Sequence, residues 1–482
     1  MNFLLKCIVI VFLLSLFKLS IAQQVSDTSV VEVFKLGEVT VTESYFNAPA
    51  KTIDRRFMQS MGVQTAVDAA KLMPGLRITQ SGGRNEALIY IRGLDLRQTP
   101  VFVDGVPVYV PYDGYIDLNQ FLVGDMAYIR FDKGFASLLY GANTMGGAVN
   151  LVSNRPKSAF DLSVGSGMRF SSQGVGAYNG NINMGTKHDK WYASASLSRQ
   201  EQFHANLPVD FDTTDLQQNY KRSNSSGEKW RYALKAAVTP NKTDEYVVSF
   251  TGIKSRKDVP VYLGVNPAVK VRYWQYPNWD KNGVYFHSST MLKSKSIVKT
   301  RLFYDTYFNK LKSFDNDQYD SQNFGYTFTS VYDDVSGGGA VEYHHRKMSS
   351  HNLKASVQGK YDKHIEYNMG EQQRSMKDVN ATIAVEDTWR IGKKIKLLGG
   401  IGYFMRNAVQ AQSYFPQNDS IGEHPLKNDS ELNYQLTCSY NFTDEQSVFL
   451  GVARRSRFAT MKDRYSYRIG AAIANPALKS EH

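Results

Sequence analysis

The chain has 482 residues, 42% hydrophobic and 21% charged, and no run of 18 or more apolar residues lies outside its N-terminus, which excludes a helical membrane protein. Lys and Arg outnumber Asp and Glu by 57 to 45, yet the basic residues are scattered rather than gathered into a stripe, so nucleic acid is excluded as a partner. With two cysteines, Cys7 and Cys438, neither a disulfide framework nor a cysteine metal site can be built. The 30 Tyr, 26 Phe and 5 Trp beside 36 Gly instead suit a β-rich chain that is wet on one side.

The N-terminus reads as an export signal. Lys6 precedes the apolar run Cys7 to Leu16, and Ser20-Ile21-Ala22 places small residues before a cut ahead of Gln23. The run is too short to span a bilayer comfortably, so residues 1–22 are expected to be removed and 23–37 to form a short leading segment.

Residues 38–156 read as a compact α+β domain. Val63, Val67 and Ala70 sit at i, i+4 and i+7, and Pro74-Gly75 stops that helix. Strand-like runs follow at Leu88–Ile91, Val101–Val103, Tyr128–Phe131 and Ala148–Val152, punctuated by glycines.

From 157 to 482 the pattern changes to long alternating segments. Leu432, Tyr434, Leu436, Cys438, Tyr440 and Phe442 are apolar or aromatic, and Asn433, Gln435, Thr437, Ser439 and Asn441 lie between them. Ala193, Ala195 and Leu197 form a second such row, Val298, Leu302, Tyr304 and Phe308 a third, and Ile395, Leu397, Ile401 and Tyr403 a fourth that Leu398 and Phe404 interrupt. Short polar turns are expected near Asp189, Lys242, Ser294, Ser350, Lys393 and Thr443, and long loops at His204–Ser226, Pro260–Lys281 and Asp315–Ser336. Short turns on one rim, long loops on the other, and Trp191, Trp389, Tyr440 and Phe442 near segment ends predict a transmembrane β-barrel rather than a soluble sandwich.

Four motifs in order, Pro74-Gly75-Leu76, Ile91-Arg92-Gly93, Val103-Asp104-Gly105-Val106-Pro107 and Leu139-Tyr140-Gly141 through Gly146-Gly147-Ala148-Val149-Asn150, closely resemble the plug domain of TonB-dependent outer-membrane receptors. The resemblance implies an N-terminal α+β plug inside the lumen of a 22-strand antiparallel barrel, in the outer membrane of a Gram-negative bacterium. It also implies a TonB-type energy-transducing partner, contact with outer-membrane lipid and lipopolysaccharide, no resident cofactor and no enzymatic activity.

Gly93, Gly105, Gly141, Gly146 and Gly147 are expected at tight turns or close backbone approaches. Arg92 and Arg130 are expected to reach acidic groups on the lumen wall, holding the plug without a greasy interface. Upstream, Leu36-Gly37-Glu38-Val39-Thr40-Val41-Thr42, with Glu38, Val39, Thr40, Val41 and Thr42 at its centre, resembles the coupling box, an extended segment that adds as a strand to the energy transducer. The plug positions matching the family's ligand loops supply Arg84 and Arg97 for anionic oxygens, and Tyr109, Tyr112 and Tyr115 as flat amphipathic surfaces. By the family's frequencies the expected cargo is a ferric siderophore or another iron chelate. Cobalamin, another metal chelate, a saccharide or a peptide is the alternative cargo, and a non-transporting adhesin the alternative role.

His344-His345 is not expected to bind metal, because adjacent strand residues point to opposite faces. Lys133-Gly134-Phe135 departs from the family's Arg-Gly-Pro. About 13 strands are expected between Asp161 and Arg457, followed by Asn475 to Glu481, which resembles a family motif that precedes the last strands; the expectation is a barrel incomplete at its C-terminus.

Overall fold

The computed structural model describes residues 51–81, 84–266, 268–294, 296–345, 348–443, 446–466 and 473–482. The expected signal peptide, the segment 23–37 and the box-like residues Glu38 to Thr42 lie outside the described residues.

The N-terminal domain contains β1 (Lys51–Asp54), α1 (Arg55–Ser60), α2 (Ala66–Lys71), β2 (Leu76–Ser81), β3 (Glu86–Ile91), β4 (Val101–Val103), β5 (Val106–Val108), β6 (Met126–Lys133) and β7 (Gly147–Ser153). Five of the strands form one sheet in the order β1-β6-β7-β4-β5, and β2 pairs with β3. Within the sheet β4 and β7 run parallel, and the other pairs are antiparallel. Ile89, Ile91, Phe121, Ile129, Phe131 and Leu151 are sealed in its core.

Apolar spacing placed the start of α2 too early. Val63 is buried but precedes the helix, which begins after Thr65 because Thr65 and Asp68 close a capping box. The four predicted strand runs lie within β3, β4, β6 and β7, whereas β1, β2 and β5 carry no legible apolar pattern. At Gly147 the backbone has φ +138°, and a Cβ there would stand 2.0 Å from the Asp132 carbonyl oxygen across the β6–β7 ladder, so no side chain fits.

The strand wall follows: β8 (Asp161–Ser171), β9 (Gly174–Lys187), β10 (Trp191–Gln202), β11 (Gly227–Val238), β12 (Glu245–Val259), β13 (Tyr273–Met291), β14 (Ile297–Phe314), β15 (Phe328–His345), β16 (His351–Asn368), β17 (Arg374–Ile391), β18 (Ile395–Phe415), β19 (Ser420–Glu423), β20 (Asp429–Asn441) and β21 (Ser447–Arg454). Each long strand pairs antiparallel with the one before it, and β19 folds back on β18. Among the described residues no helix is long and apolar enough to cross a membrane. The wall strands mostly exceed the ~9–11 residues a tilted strand needs to cross a bilayer.

The wall is turned inside out relative to a soluble sheet. On β20, Leu432, Tyr434, Leu436 and Tyr440 are 36–55% exposed, while Asn433, Gln435, Thr437 and Ser439 are at most 3% exposed. Leu302 and Tyr304 on β14 and Ile401 and Tyr403 on β18 repeat the pattern. The two residues that broke the alternation, Leu398 and Phe404, are buried, and Phe404 packs with Leu138, Leu139 and Tyr140 of the N-terminal domain. Cys438 is free and exposed on the apolar face.

The wall also curls around the domain. Thirteen strands at ~4.8 Å spacing would make a flat sheet ~58 Å wide, whereas a ~100-residue domain with a radius of gyration of ~13 Å is only ~34 Å across. Yet the domain touches β8 through an Arg55–Ser163 hydrogen bond, β11 through Arg231–Asp125, β17 through Ser137–Glu386, and the segment after β21 through Ala136. Such reach from first strand to last requires a wrapped wall with the domain on its polar face.

The six expected short turns all fall between strands on one rim. On the other rim, two long loops are shorter than expected: β13 begins at Tyr273 and β15 at Phe328, so the loops are 260–272 and 315–327. In their upper strand portions apolar groups are buried, with Trp274, Tyr276 and Trp279 of β13 and Val331 of β15 at most 5% exposed, so the alternation that marks a lipid-facing strand is lost. That rim also carries two tight connections, at 172–173 and 369–373, so the asymmetry of the rims is incomplete.

Leu436→Arg, placing a charge on the lipid-facing side, is expected to cost about 2–4 kcal/mol of stability at mid-membrane depth, with little change for the equally exposed rim residue Phe442→Arg. Urea unfolding in lipid vesicles measures both.

Candidate functional site

The seam between domain and wall is built from charges, most of them opposite in sense to the sequence expectation. Acidic groups lie on the domain and basic groups on the wall. Arg231 of β11 donates Nε and Nη2 to the two Asp125 oxygens at 2.8 and 3.0 Å, with both side chains buried. Lys257 of β12 donates to Asp117 Oδ2 at 2.7 Å and to the Asn85 carbonyl at 3.1 Å. The converse occurs at β17, where Glu386 accepts from Ser137 Oγ at 2.7 Å and from the Leu138 amide at 2.6 Å.

Asp104-Gly105 is the most densely anchored turn. Asp104 has φ 50° and Gly105 φ 79°. The Asp104 carboxylate accepts from the Ser153 amide at 2.9 Å and lies 3.5 Å from Lys235 of β11. Its carbonyl bonds His287 Nε2 of β13 at 2.9 Å, and Arg301 of β14 donates to the Gly105 carbonyl at 3.1 Å. Burial pushes the Asp104 carboxyl up, but Lys235 and the Ser153 hydroxyl overcome it and hold the group at about 2.

Apolar contact is part of the seam as well, which corrects the expectation of a purely polar interface. Trp279 of β13, 1% exposed, meets Phe121 edge-on at a centroid distance of 6.4 Å. Arg130 binds Asp132 of its own strand at 2.9 Å, and Arg92 is exposed in a left-handed conformation with φ 54°, beside Gly134. Both of these contacts lie within the plug.

The five residues expected at a ligand surface are engaged within the protein. Arg84 pairs with Asp113 at 3.3 Å. Arg97 holds Asp95 at 2.8 Å and stacks over the Tyr115 ring at 5.0 Å, and the Tyr115 hydroxyl donates to the same Asp95 at 2.9 Å. Tyr109 donates to Asp362 of β16 at 2.8 Å, with Lys360 over its ring at 4.0 Å. Tyr112 stacks on His364 of β16 at 4.5 Å and 14°. Tyr140 lies 4.8 Å from Phe102 and donates to Asp132 at 3.3 Å. Gly141 has φ 93° beside Gln358 of β16, and Gly93 has φ 85°; a Cβ on Gly146 would meet Thr99 at 2.6 Å. His344 bonds Glu342 at 3.1 Å, and no group of three or more His, Cys, Asp or Glu able to hold a metal occurs among the described residues.

Two features carry no signal in the sequence. One is a chamber of about 1270 Å³ of unfilled space, solvent included, between the β4–β5 region and β14–β18, with Arg301, Gln358, Asp378 and Arg406 on its wall side. The other is a strap formed by residues 455–466, which leave the sheet after β21 and lie on the domain. The Phe458 amide donates to Asn143 at 3.1 Å, the Lys462 amide to the Tyr112 carbonyl at 2.8 Å, and Arg97 reaches Asp463 at 3.4 Å. Its short helix α3 (Met461–Tyr465) starts with a Thr460–Asp463 capping box.

A small α+β domain locked by buried ion pairs inside a wall whose outer face is apolar defines a plugged β-barrel. Residues 44–148 match the family model of the TonB-dependent Receptor Plug Domain. Among solved structures the chain is similar to the copper transporter OprC, at 13% identity and a TM-score of 0.68, over 85% of this chain and 65% of that one. It is also similar to the ferric yersiniabactin uptake receptor FyuA from Yersinia pestis, at 14% identity and a TM-score of 0.64, over 91% and 69%. A third likeness is to the ferric citrate transporter FecA, at 16% identity and a TM-score of 0.67, over 86% and 63%. The chain thus carries the plug domain and shares the plugged-barrel fold of these proteins, and it spans about two thirds of their length.

Arg231→Gln is expected to cost about 3–5 kcal/mol, because it strands a buried Asp125 carboxylate; chemical denaturation monitored by tryptophan fluorescence reads it. The Asp104 carboxyl, held below its ordinary 3.8, contributes stability fully present above about 3.8 and lost as pH falls through about 2. The melting temperature is expected to drop across that window, and the drop to shrink in Asp104→Asn.

Proposed function

We propose that this protein is an outer-membrane receptor that binds a scarce ligand from outside and imports it when an inner-membrane energising complex pulls on the plug. The observation that carries this reading is the seam: beside apolar contacts such as Trp279–Phe121, the plug is held by ion pairs such as Arg231–Asp125 and Lys257–Asp117, which water can replace one at a time. A continuous apolar weld would instead have to expose its whole area at once to water. The segment 36–42 is the proposed handle, adding as a strand to a TonB-type protein.

The proposed cargo is an iron chelate. Two of the similar structures are named for ferric yersiniabactin uptake and ferric citrate transport, and a third for copper; another metal chelate is therefore the nearest alternative. Lipid and lipopolysaccharide would meet the apolar rows of the wall. The proposed domain limits are 38–156 for the plug and 157–482 for the barrel portion; a plug sheet that ends at Ser153 and a wall that begins at Asp161 support the division between them.

Deleting residues 36–42 is expected to reduce accumulation of radiolabelled iron chelate by cells to background, while binding to whole cells persists. Accumulation that survives the deletion rules out energised import and leaves a passive binding protein or adhesin.

A further inference from the structure

The two rims of the wall differ in charge. Four of the short turns carry exposed lysines: Lys187 and Lys190 where β9 turns into β10, Lys242 between β11 and β12, Lys293 between β13 and β14, and Lys393 and Lys394 between β17 and β18. Among the described residues none of these six ammonium groups is in an ion pair. Two carboxylates of the same rim are already engaged, since Asp244 accepts from the Met291 amide at 2.8 Å and Asp387 lies 2.6 Å from His351. The short turn at 442–446 carries Asp444 and Glu445, so the basic arc runs from β9 to β18 and stops short of β20. On the opposite rim the balance reverses: the loop 203–226 holds Asp210, Asp212 and Asp215, and the loop 315–327 holds Asp315, Asp317 and Asp320, against Lys221 and Arg222.

Each basic turn stands just beyond exposed apolar groups. Trp191, 45% exposed and stacked on His188, follows Lys190 directly, and Leu292, 40% exposed, precedes Lys293. The outward row of β11 ends at Val238 before Lys242, and that of β17 ends at Trp389 and Ile391 before Lys393. Lysine beside tryptophan at the end of an apolar row is the makeup of a bilayer interface, where the ring sits at headgroup level and the ammonium reaches outward on its flexible stem. Strand geometry sets the depth. Lys393 lies two residues past Ile391, about 7 Å along a strand that rises ~3.3 Å per residue, and the headgroup layer on one side of a bilayer is about 5–7 Å deep.

We propose that the short-turn rim from β9 to β18 binds the phosphodiester headgroups of anionic phospholipid, with Lys187, Lys190, Lys393 and Lys394 as the principal contacts. The inference rests on the reading of the wall as a membrane barrel and adds to it a lipid preference that belongs to one rim. Cations held at the surface of a negatively charged bilayer are attracted to it, whereas the aspartates of the long loops are repelled.

The test uses the full chain reconstituted in phosphatidylcholine vesicles in which about a fifth of the lipid is brominated, either as phosphatidylglycerol or as phosphatidylcholine, with quenching of tryptophan fluorescence as the readout. Brominated phosphatidylglycerol is expected to quench more strongly, corresponding to about threefold or greater enrichment beside the wall, and 1 M salt is expected to remove the excess by shortening the screening length to about 3 Å. Changing the four principal lysines together, Lys187→Gln, Lys190→Gln, Lys393→Gln and Lys394→Gln, is expected to bring the two lipids to equal quenching, and changing the same four to Arg to retain the preference. Unchanged quenching by brominated phosphatidylcholine reports that both variants still insert. Equal quenching in the unaltered protein, a preference that survives the four glutamines, or its loss in the arginine variant overturns the assignment and leaves the wall in lipid. Loss of the preference on adding 10 mM inorganic phosphate overturns it in favour of a free anion. Quenching by neither lipid overturns both the assignment and the membrane reading beneath it.

Discussion

Every long strand of this protein must satisfy two solvents at once. One face carries Leu, Val, Tyr and Phe outward, and the other carries Asn, Gln, Thr, Asp and Arg inward, as β20 shows residue by residue. A polar face that is turned away from bulk water needs partners, since buried donors and acceptors left alone are expensive. The plug supplies them: its carboxylates at 104, 117 and 125 and its backbone carbonyls at 105 and 124 meet side chains of the wall. Burial of the plug and polarity of the wall's inner face are one constraint seen from two sides.

The same constraint explains where the wall departs from its own pattern. Phe404 and Trp279 are large apolar groups on the inner face, and each is buried against the plug, by Leu138 in one case and Phe121 in the other. They are anchors within a polar seam. Around them the ion pairs fix register beside apolar clusters that join plug and wall at Ile253, Trp279, Tyr307 and Met376 and at Ala384 and Phe404. The strap of residues 455–466 adds a third side to this arrangement by bonding to plug groups at Tyr112 and Asn143.

Much of the fold was legible because alternation between apolar and polar residues is a local property of a strand in a membrane. The rows at 432–442 and 193–198 announced their own orientation, and the turns near Asp189 and Ser350 announced the rim. Legibility failed where the local environment stops being two-sided. At the starts of β13 and β15, apolar groups such as Trp274, Tyr276 and Val331 are buried rather than exposed, and the segments read as loop. Inside the plug, β1, β2 and β5 contain Lys51, Arg77 and Pro107 and lack the unbroken apolar runs of β3 and β4, and a capping box rather than apolar spacing sets the start of α2.

The amino-acid sequence by itself determined a plug motif in four ordered pieces and a wall of strands with one apolar face, because each of these is written over neighbouring residues. The tertiary structure alone decided the partners of each charge. Arg231 finds Asp125 across 106 positions and Arg97 finds Asp463 across 366, and the tyrosines at 109, 112 and 115 turn out to be engaged with wall and plug residues. Long-range pairing of this kind depends on which strands the wrapped wall brings face to face with the plug, and no local pattern encodes that distance.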